Sequence, residues 1–273
     1  MTRKRKPQQG IQSIEVGGRL LSGLAEARRP QMLRDLARDA GMPAAKAHRY
    51  LVSFARMGIV EQQAESGLYD LGPFALQLGL SALARLDPVT IATAALPQLS
   101  QAIGQTVALA VWANQGPTIV RWLGADTPVA ASLRVGSVMP LTRSATGGAY
   151  LAFLPRESTH AVLKKELADN RRQGLAPTTE ELVEAFAEQT RRQGFAHTID
   201  FIPGIGGMAA PVFDHSGAMV LALVALGYSK PFEAHIQRIS AAVLHTAAAL
   251  SRRLGANDVA CGPGHPGHSR HGA

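Results

Sequence analysis

The chain has 273 residues, 46% of them apolar and 18% charged, with 28 Lys or Arg against 20 Asp or Glu and a single cysteine, Cys261. That length suits about two domains with packed cores, one cysteine excludes an intrachain disulfide and fits a reducing cytoplasm, and no apolar run nears the roughly twenty residues that span a bilayer. The positive excess is local: residues 1–60 carry twelve bases (Arg3, Lys4, Arg5, Lys6, Arg19, Arg28, Arg29, Arg34, Arg38, Lys46, Arg49, Arg56) against four acids (Glu15, Glu26, Asp35, Asp39), which leaves sixteen of each sign for residues 61–273.

In chain order, MTRKRKPQQG is basic with no apolar segment behind it, so residues 1–11 are expected to be a flexible arm and not a secretory signal. Ile14, Leu20, Leu21 and Leu24 are spaced for an amphipathic helix. Leu33, Leu36 and Ala37 fall on one side of a second, with Arg34, Arg38 and Asp39 on the other. Gly41 suits the left-handed residue that ends that helix, and Pro43 suits the first turn of the next. There Ala47, Tyr50, Leu51 and Phe54 recur at helical spacing, leaving Ala44, Ala45, Lys46, His48, Arg49 and Arg56 for a groove and its phosphates. Gly58 closes this helix. Ile59–Gln62 and Leu68–Leu71 then form a hairpin of wing length about Ala64-Glu65-Ser66-Gly67.

Residues 12–72 therefore read as a winged helix-turn-helix whose candidate DNA-binding residues are Arg34, Ala44, Ala45, Lys46, His48, Arg49, Arg56 and Ser66. Helix spacing alone fits a plain helical subdomain equally well. The charge excess decides for duplex DNA, because a phosphate-binding surface must displace counterions. A basic amphipathic helix can also lie on a membrane, but a three-helix core with a hairpin does not need one, and no membrane partner is expected.

Residues 73–87 form a linker helix in which Phe74, Leu78, Leu80, Leu83 and Leu86 are apolar. Two covers suit that surface, a second copy of the chain or its own C-terminal domain, and paired half-sites favour the first. From residue 88 to 255 the pattern becomes mixed. A helix through Leu96 and Leu99 ends at Gly104, and Thr106–Ala113 and Thr118–Ala125 form a hairpin across Asn114–Pro117. A third strand over Leu133–Leu141 and a helix from Ser144 to Leu154 follow. Beyond them lie charged helices near Ser158–Ala168 and Thr179–Gln193, apolar strands Gly207–Phe213 and Ala218–Leu226, and one closing helix from Phe232 to Leu254. The expected fold class is α+β, a mainly antiparallel sheet covered by helices. Residues 256–273 read as a disordered tail, and chelation of a metal by Cys261, His265, His268 and His271 would be adventitious without a scaffold.

The order of elements, together with LARDAGMPAAKAHRYL, YDLGPFALQLG, VGSVMPLTRSATGGAYLAFLP, RRQGF and GIGGMAAPVFDHSGAM, resembles the IclR family of bacterial transcription regulators over residues 12–255. The resemblance implies a winged helix-turn-helix, a linker helix and a GAF-like effector-binding domain, working as a homodimer or a dimer of dimers on an operator. Two departures stand out. Ala44, Ala45 and Lys46 occupy positions where relatives commonly have Lys, Ser and Thr, so base readout leans on Lys46, His48 and Arg49. Val224 and Leu226 replace serines of relatives that bind small keto-acids, which points to a more apolar effector.

Thr146-Gly147-Gly148 sits at a helix start, where free N–H groups and the dipole attract an anion, and Gly204-Ile205-Gly206-Gly207 precedes a strand. If both face one cavity, they bracket a carboxylate while Ile205, Met208, Val224 and Leu226 hold an apolar body. From the residues alone, tight turns and close packing are the favoured reading of these glycines. With the resemblance, the expected effector site comprises Ala145, Thr146, Gly147, Gly148, Asp200, Ile205, Gly207, Met208, Val224 and Leu226, and its ligand is a small organic acid, an aromatic one included.

No GxSxG elbow, Walker loop or helical His/Glu metal motif occurs. His197 with Asp200, and Asp214 with His215, read as solvated turn residues. No enzyme activity, metal or cofactor is expected.

Overall fold

The computed structural model describes residues 10–125, 133–177 and 179–257; the readings made for residues 1–9 and 258–273, the Cys/His tail included, lie outside them. The chain divides into two compact units, Met1–Leu86 and Asp87–Ala273.

The first unit comprises α1 (Gln12–Ala27), α2 (Leu33–Asp39), α3 (Ala44–Arg56), the antiparallel pair β1 (Val60–Gln62) and β2 (Tyr69–Leu71), and α4 (Pro73–Leu83). Leu20, Leu24, Leu36, Ala37, Ala47, Leu51, Val60 and Tyr69 form its core. These are the helically spaced apolar positions of α1, α2 and α3 closed by one inward residue from each strand, the arrangement of a winged helix-turn-helix. Gly41 takes φ +64° at the turn between α2 and α3. Ile14 departs from expectation: it continues the Gly17, Leu20, Leu24 stripe but is 68% exposed, because the Tyr50 and Phe54 rings close the core at Gly17.

The junction into α4 is tightly fixed. Gly72 N donates to Ile59 O (2.7 Å) and Phe74 N to Gly58 O (2.9 Å), while a Cβ on Gly72 would lie 2.5 Å from the Gly58 carbonyl oxygen. Only glycine permits that approach. Beyond it α4 buries no residue within the chain, and Phe74, Leu76, Leu78, Leu80 and Leu83 are all exposed.

The second unit contains α5 (Pro88–Thr93), α6 (Leu96–Ile103), β3 (Thr106–Ala113), β4 (Gly116–Leu123), α7 (Ala145–Phe153), α8 (Arg156–Gln173), α9 (Glu180–Gln193), β5 (Ala196–Ile202), β6 (Ile205–Phe213), β7 (Met219–Tyr228), α10 (Ser229–Ala234) and α11 (Ile236–Arg253). Its strands form one sheet in the order β4-β3-β7-β6-β5, and every neighbouring pair is antiparallel. One face packs α7, α8 and α9 through Ala108, Ala110, Ala209, Phe213, Ala222 and Val224. α6, α10 and α11 pack on the other side. Tyr150 pins α7 to the sheet, its buried hydroxyl donating to Ala110 O at 2.7 Å.

Three elements differ from expectation. Leu133–Leu141 is not a strand: it forms one bridge, Thr118↔Val138, because Gly136 turns the chain at φ +91°. Residues 196–202, whose His197 and Asp200 are expected in a solvated turn, form strand β5 with a bulge between Ile199 and Ile202, where Asp200 adopts φ +58°. The closing helix is broken at His235 into α10 and α11.

Candidate functional site

On α3, Ala47 and Leu51 face the core and Ala44, Ala45, Lys46, His48, Arg49 and Arg56 are exposed. No side chain caps this helix, and the two alanines leave its first turn open to close approach by a phosphate. His48 is not a free reader. Its Nδ1 shares a hydrogen bond with the Tyr69 hydroxyl (3.3 Å), which ties the helix to the wing. On α2, the Arg34 side chain is 88% exposed and 3.9 Å from Asp35, whereas Arg38 is held by Asp35 (3.1 Å) and Asp39 (2.9 Å) and its charge is offset locally. In the wing, Ser66 Oγ donates to Gln63 Oε1 (2.7 Å) and accepts from Leu68 N (3.3 Å), so its hydroxyl shapes the turn.

In the second unit a cavity of about 20 Å³ lies between the start of α7 and strands β5, β6 and β7. It is lined by Met139, Ser144, Ala145, Thr146, Thr198, Phe201, Ile202, Ile205, Gly207, Val224 and Leu226, none of them charged. Its α7 rim is rigid: the Glu166 carboxylate accepts from Leu141 N (2.7 Å), Thr142 N (2.9 Å) and the Thr142 hydroxyl (2.6 Å), and Asn170 Nδ2 donates to Thr142 Oγ1 at 3.1 Å. Ser144 Oγ accepts from Gly147 N (2.9 Å) as the N-cap of α7.

Of the ten residues expected to bind an effector, Ala145, Thr146, Ile205, Gly207, Val224 and Leu226 line this cavity and four do not. Gly147 and Gly148 are packing glycines: a Cβ would lie 2.2 Å from Leu141 O at the first and 2.4 Å from the Phe186 ring at the second. Met208 alternates to the opposite face of the sheet, paired with His197. Asp200 stands outside, its Oδ1 accepting from Gly204 N (3.0 Å) and the Ser229 hydroxyl (2.5 Å), so it fastens the β5–β6 turn to the start of α10. His197, expected to be solvated, lies in β5 with its ring stacked on Phe232 at 6.2 Å. Its Nε2 is buried with no hydrogen-bond partner among the described residues, and burial holds the imidazole below its usual pKa, opposed in part by Glu233.

Residues 13–64 match the IclR helix-turn-helix domain and residues 80–252 match the bacterial transcriptional regulator IclR C-terminal domain. The chain belongs to the IclR family. This IclR chain is 32% identical over 256 residues to the glycerol operon regulatory protein of Streptomyces griseus, covering 90% of this chain and 97% of that one. It is 28% identical to the transcriptional repressor IclR of Escherichia coli, covering 75% of each. The crystal structure of Pseudomonas aeruginosa HmgR superposes with a TM-score of 0.82 at 35% identity, covering 91% of this chain and all of that one. The IclR family comprises DNA-binding transcription regulators, not enzymes. No helix among the described residues is long and apolar enough to cross a membrane.

Sequence reasoning missed the β5 wall of the cavity, Thr198, Phe201 and Ile202, along with Met139 and Ser144. The signal is present in AHTIDFI, whose β-branched and aromatic residues suit a strand, but the pair His197 and Asp200 suggests a solvated turn.

Proposed function

We propose that this IclR regulator binds one operator sequence through α3 and that a small organic acid, bound in the α7–β5–β7 cavity, changes its operator affinity. The observation that carries this reading is that cavity: an apolar hollow with Val224 and Leu226 on one wall and the capped start of α7 on the other. An apolar body with one polar end suits such a hollow. In the closed state it has room for about one water molecule, whereas ligand pockets run to about 300 Å³ or more. A ligand must therefore bind an expanded state in preference to the closed one. Such differential binding is what an allosteric effector requires, and a coupling of about 1–3 kcal/mol changes occupancy about 5- to 150-fold.

The working assembly is a homodimer in the cytoplasm, able to pair into a dimer of dimers. Two recognition helices must meet major grooves about 34 Å apart, and the exposed leucines of α4 gain cover from a second copy. Selection of bound sites from random duplex DNA, repeated with and without carboxylic acids, tests the proposal. An enriched two-fold motif whose binding shifts with an acid supports it. Retention of duplexes with no enriched motif would instead mark a dimeric ligand-binding module without sequence readout, the reading that Ala45 and Lys46 keep open by standing where relatives place hydroxyls on the reading helix.

A further inference from the structure

Taking the cavity to be the effector site, as above, its least buried lining residues show where it opens. Thr198, Phe201 and Ile202 are half-buried, whereas the lining residues from α7, β6 and β7 are buried. All three belong to β5, the edge strand, which is bulged at that point. The facing rim cannot yield easily because Glu166 and Asn170 hold it. Across the mouth, the guanidinium of Arg143, next to that rim, lies over the Phe201 ring at 5.5 Å from its centroid. Among the described residues Arg143 forms no ion pair.

We propose that Arg143 over Phe201 is the closed mouth of the cavity and selects anions, a ligand carboxylate taking the guanidinium from the ring as the β5 bulge moves outward. A cation–π contact at a partly exposed site is weak, whereas a carboxylate satisfies the guanidinium's N–H donors through charge-assisted hydrogen bonds. The exchange is therefore favourable for an anion. A neutral isostere gains much less, and a cation is repelled. Arg143 is thus a specificity determinant and Phe201 a gate.

The test does not depend on knowing the effector. In full-length protein with Cys261→Ser, Val224→Cys places one thiol inside the cavity, and Leu226→Cys serves if the first variant folds poorly. Modification by an ethylsulfonate methanethiosulfonate is compared with that by its trimethylammonium analogue, each rate divided by that of a free thiol. The anionic reagent is expected to lead at least about tenfold; Arg143→Ala should bring the ratio near one, and Phe201→Ala should accelerate both reagents. Equal normalised rates, or a preference that survives Arg143→Ala, would overturn the proposal while leaving the effector reading intact. A thermal-shift screen pairing benzoate with benzamide and phenylacetate with phenylacetamide tests that reading separately. Amides that stabilise the chain as well as the acids would sink the organic-acid reading.

Discussion

Two glycines on opposite sides of the cavity should respond in opposite ways to one added methyl group. At Gly147 the Cβ would lie 2.2 Å from Leu141 O and 2.3 Å from Pro140 O, both backbone atoms, so α7 and the preceding segment must part by about 1 Å. That segment is the one Glu166 grips. Overpacking of about 1.5 kcal/mol, a weakened Ser144 cap of about 1 kcal/mol and one loosened carboxylate bond of about 1.5 kcal/mol place Gly147→Ala about 4 kcal/mol below wild type. For a domain of this size the melting temperature should fall by about 8–16 °C. At Gly207 the nearest atoms to a new Cβ are Leu226 Cδ2 at 3.8 Å and Ala225 O at 3.9 Å, ordinary contacts. Gly207→Ala should therefore keep its stability to within about 1 kcal/mol while filling a cavity of about 20 Å³, so that acids stabilise it less than wild type. Thermal unfolding followed by circular dichroism, with and without benzoate, measures both. Melting of Gly147→Ala within about 2 °C of wild type, or a collapse of Gly207→Ala comparable to it, would refute the assignment of one glycine to packing and the other to the cavity wall.

Arg49→Ala should cost about 1–3 kcal/mol in operator binding and relax one position of the motif, whereas Arg34→Ala, on the exposed face of α2, should weaken all sequences alike and reduce the salt slope by about one ion; fluorescence anisotropy across a salt series distinguishes them. Because burial holds His197 below its usual pKa, the unfolded chain binds more protons than the folded one as the pH falls through the ordinary imidazole value of about 6.5, so stability declines with falling pH there. Urea titrations should show that decline flattened in His197→Phe, which keeps the stack on Phe232. Leu76→Glu with Leu80→Glu should turn the proposed dimer into a monomer in sedimentation velocity and weaken operator binding by at least about tenfold; an unchanged sedimentation coefficient would remove α4 from the proposed interface.

The N-terminal unit was legible because its determinants are local: Gly41 and Gly58 punctuate helices whose apolar spacing declares an inner face, and the hairpin follows at once. The central sheet was legible in β3, β4, β6 and β7, whose apolar runs are long. β5 was hidden because its pairing with β6 absorbs an irregularity at Asp200 that a sequence window reads as an ending. Leu133–Leu141 shows the converse error, since the apolar residues of that segment suggested a strand while the turn at Gly136 governs the chain path. The glycines of α7 mark the limit of such reading. Whether Gly147 cradles an anion or abuts a backbone depends on where residues 140–141 lie in space, a tertiary property that no local pattern encodes. Arg143 went unnoticed for the same reason, its ring partner being far along the chain.

The crowded contact at Gly72 makes the recognition helix and the linker one solid piece. With Gly72 bonded to Ile59 and Phe74 to Gly58, there is no slack where α4 begins, so a roll of the linker about its long axis sweeps α3 through the same angle. In the dimer proposed above, a displacement of an ångström at α4 would become a larger arc at His48 and Arg49, and the register between paired grooves would be gained or lost without bending inside the N-terminal unit.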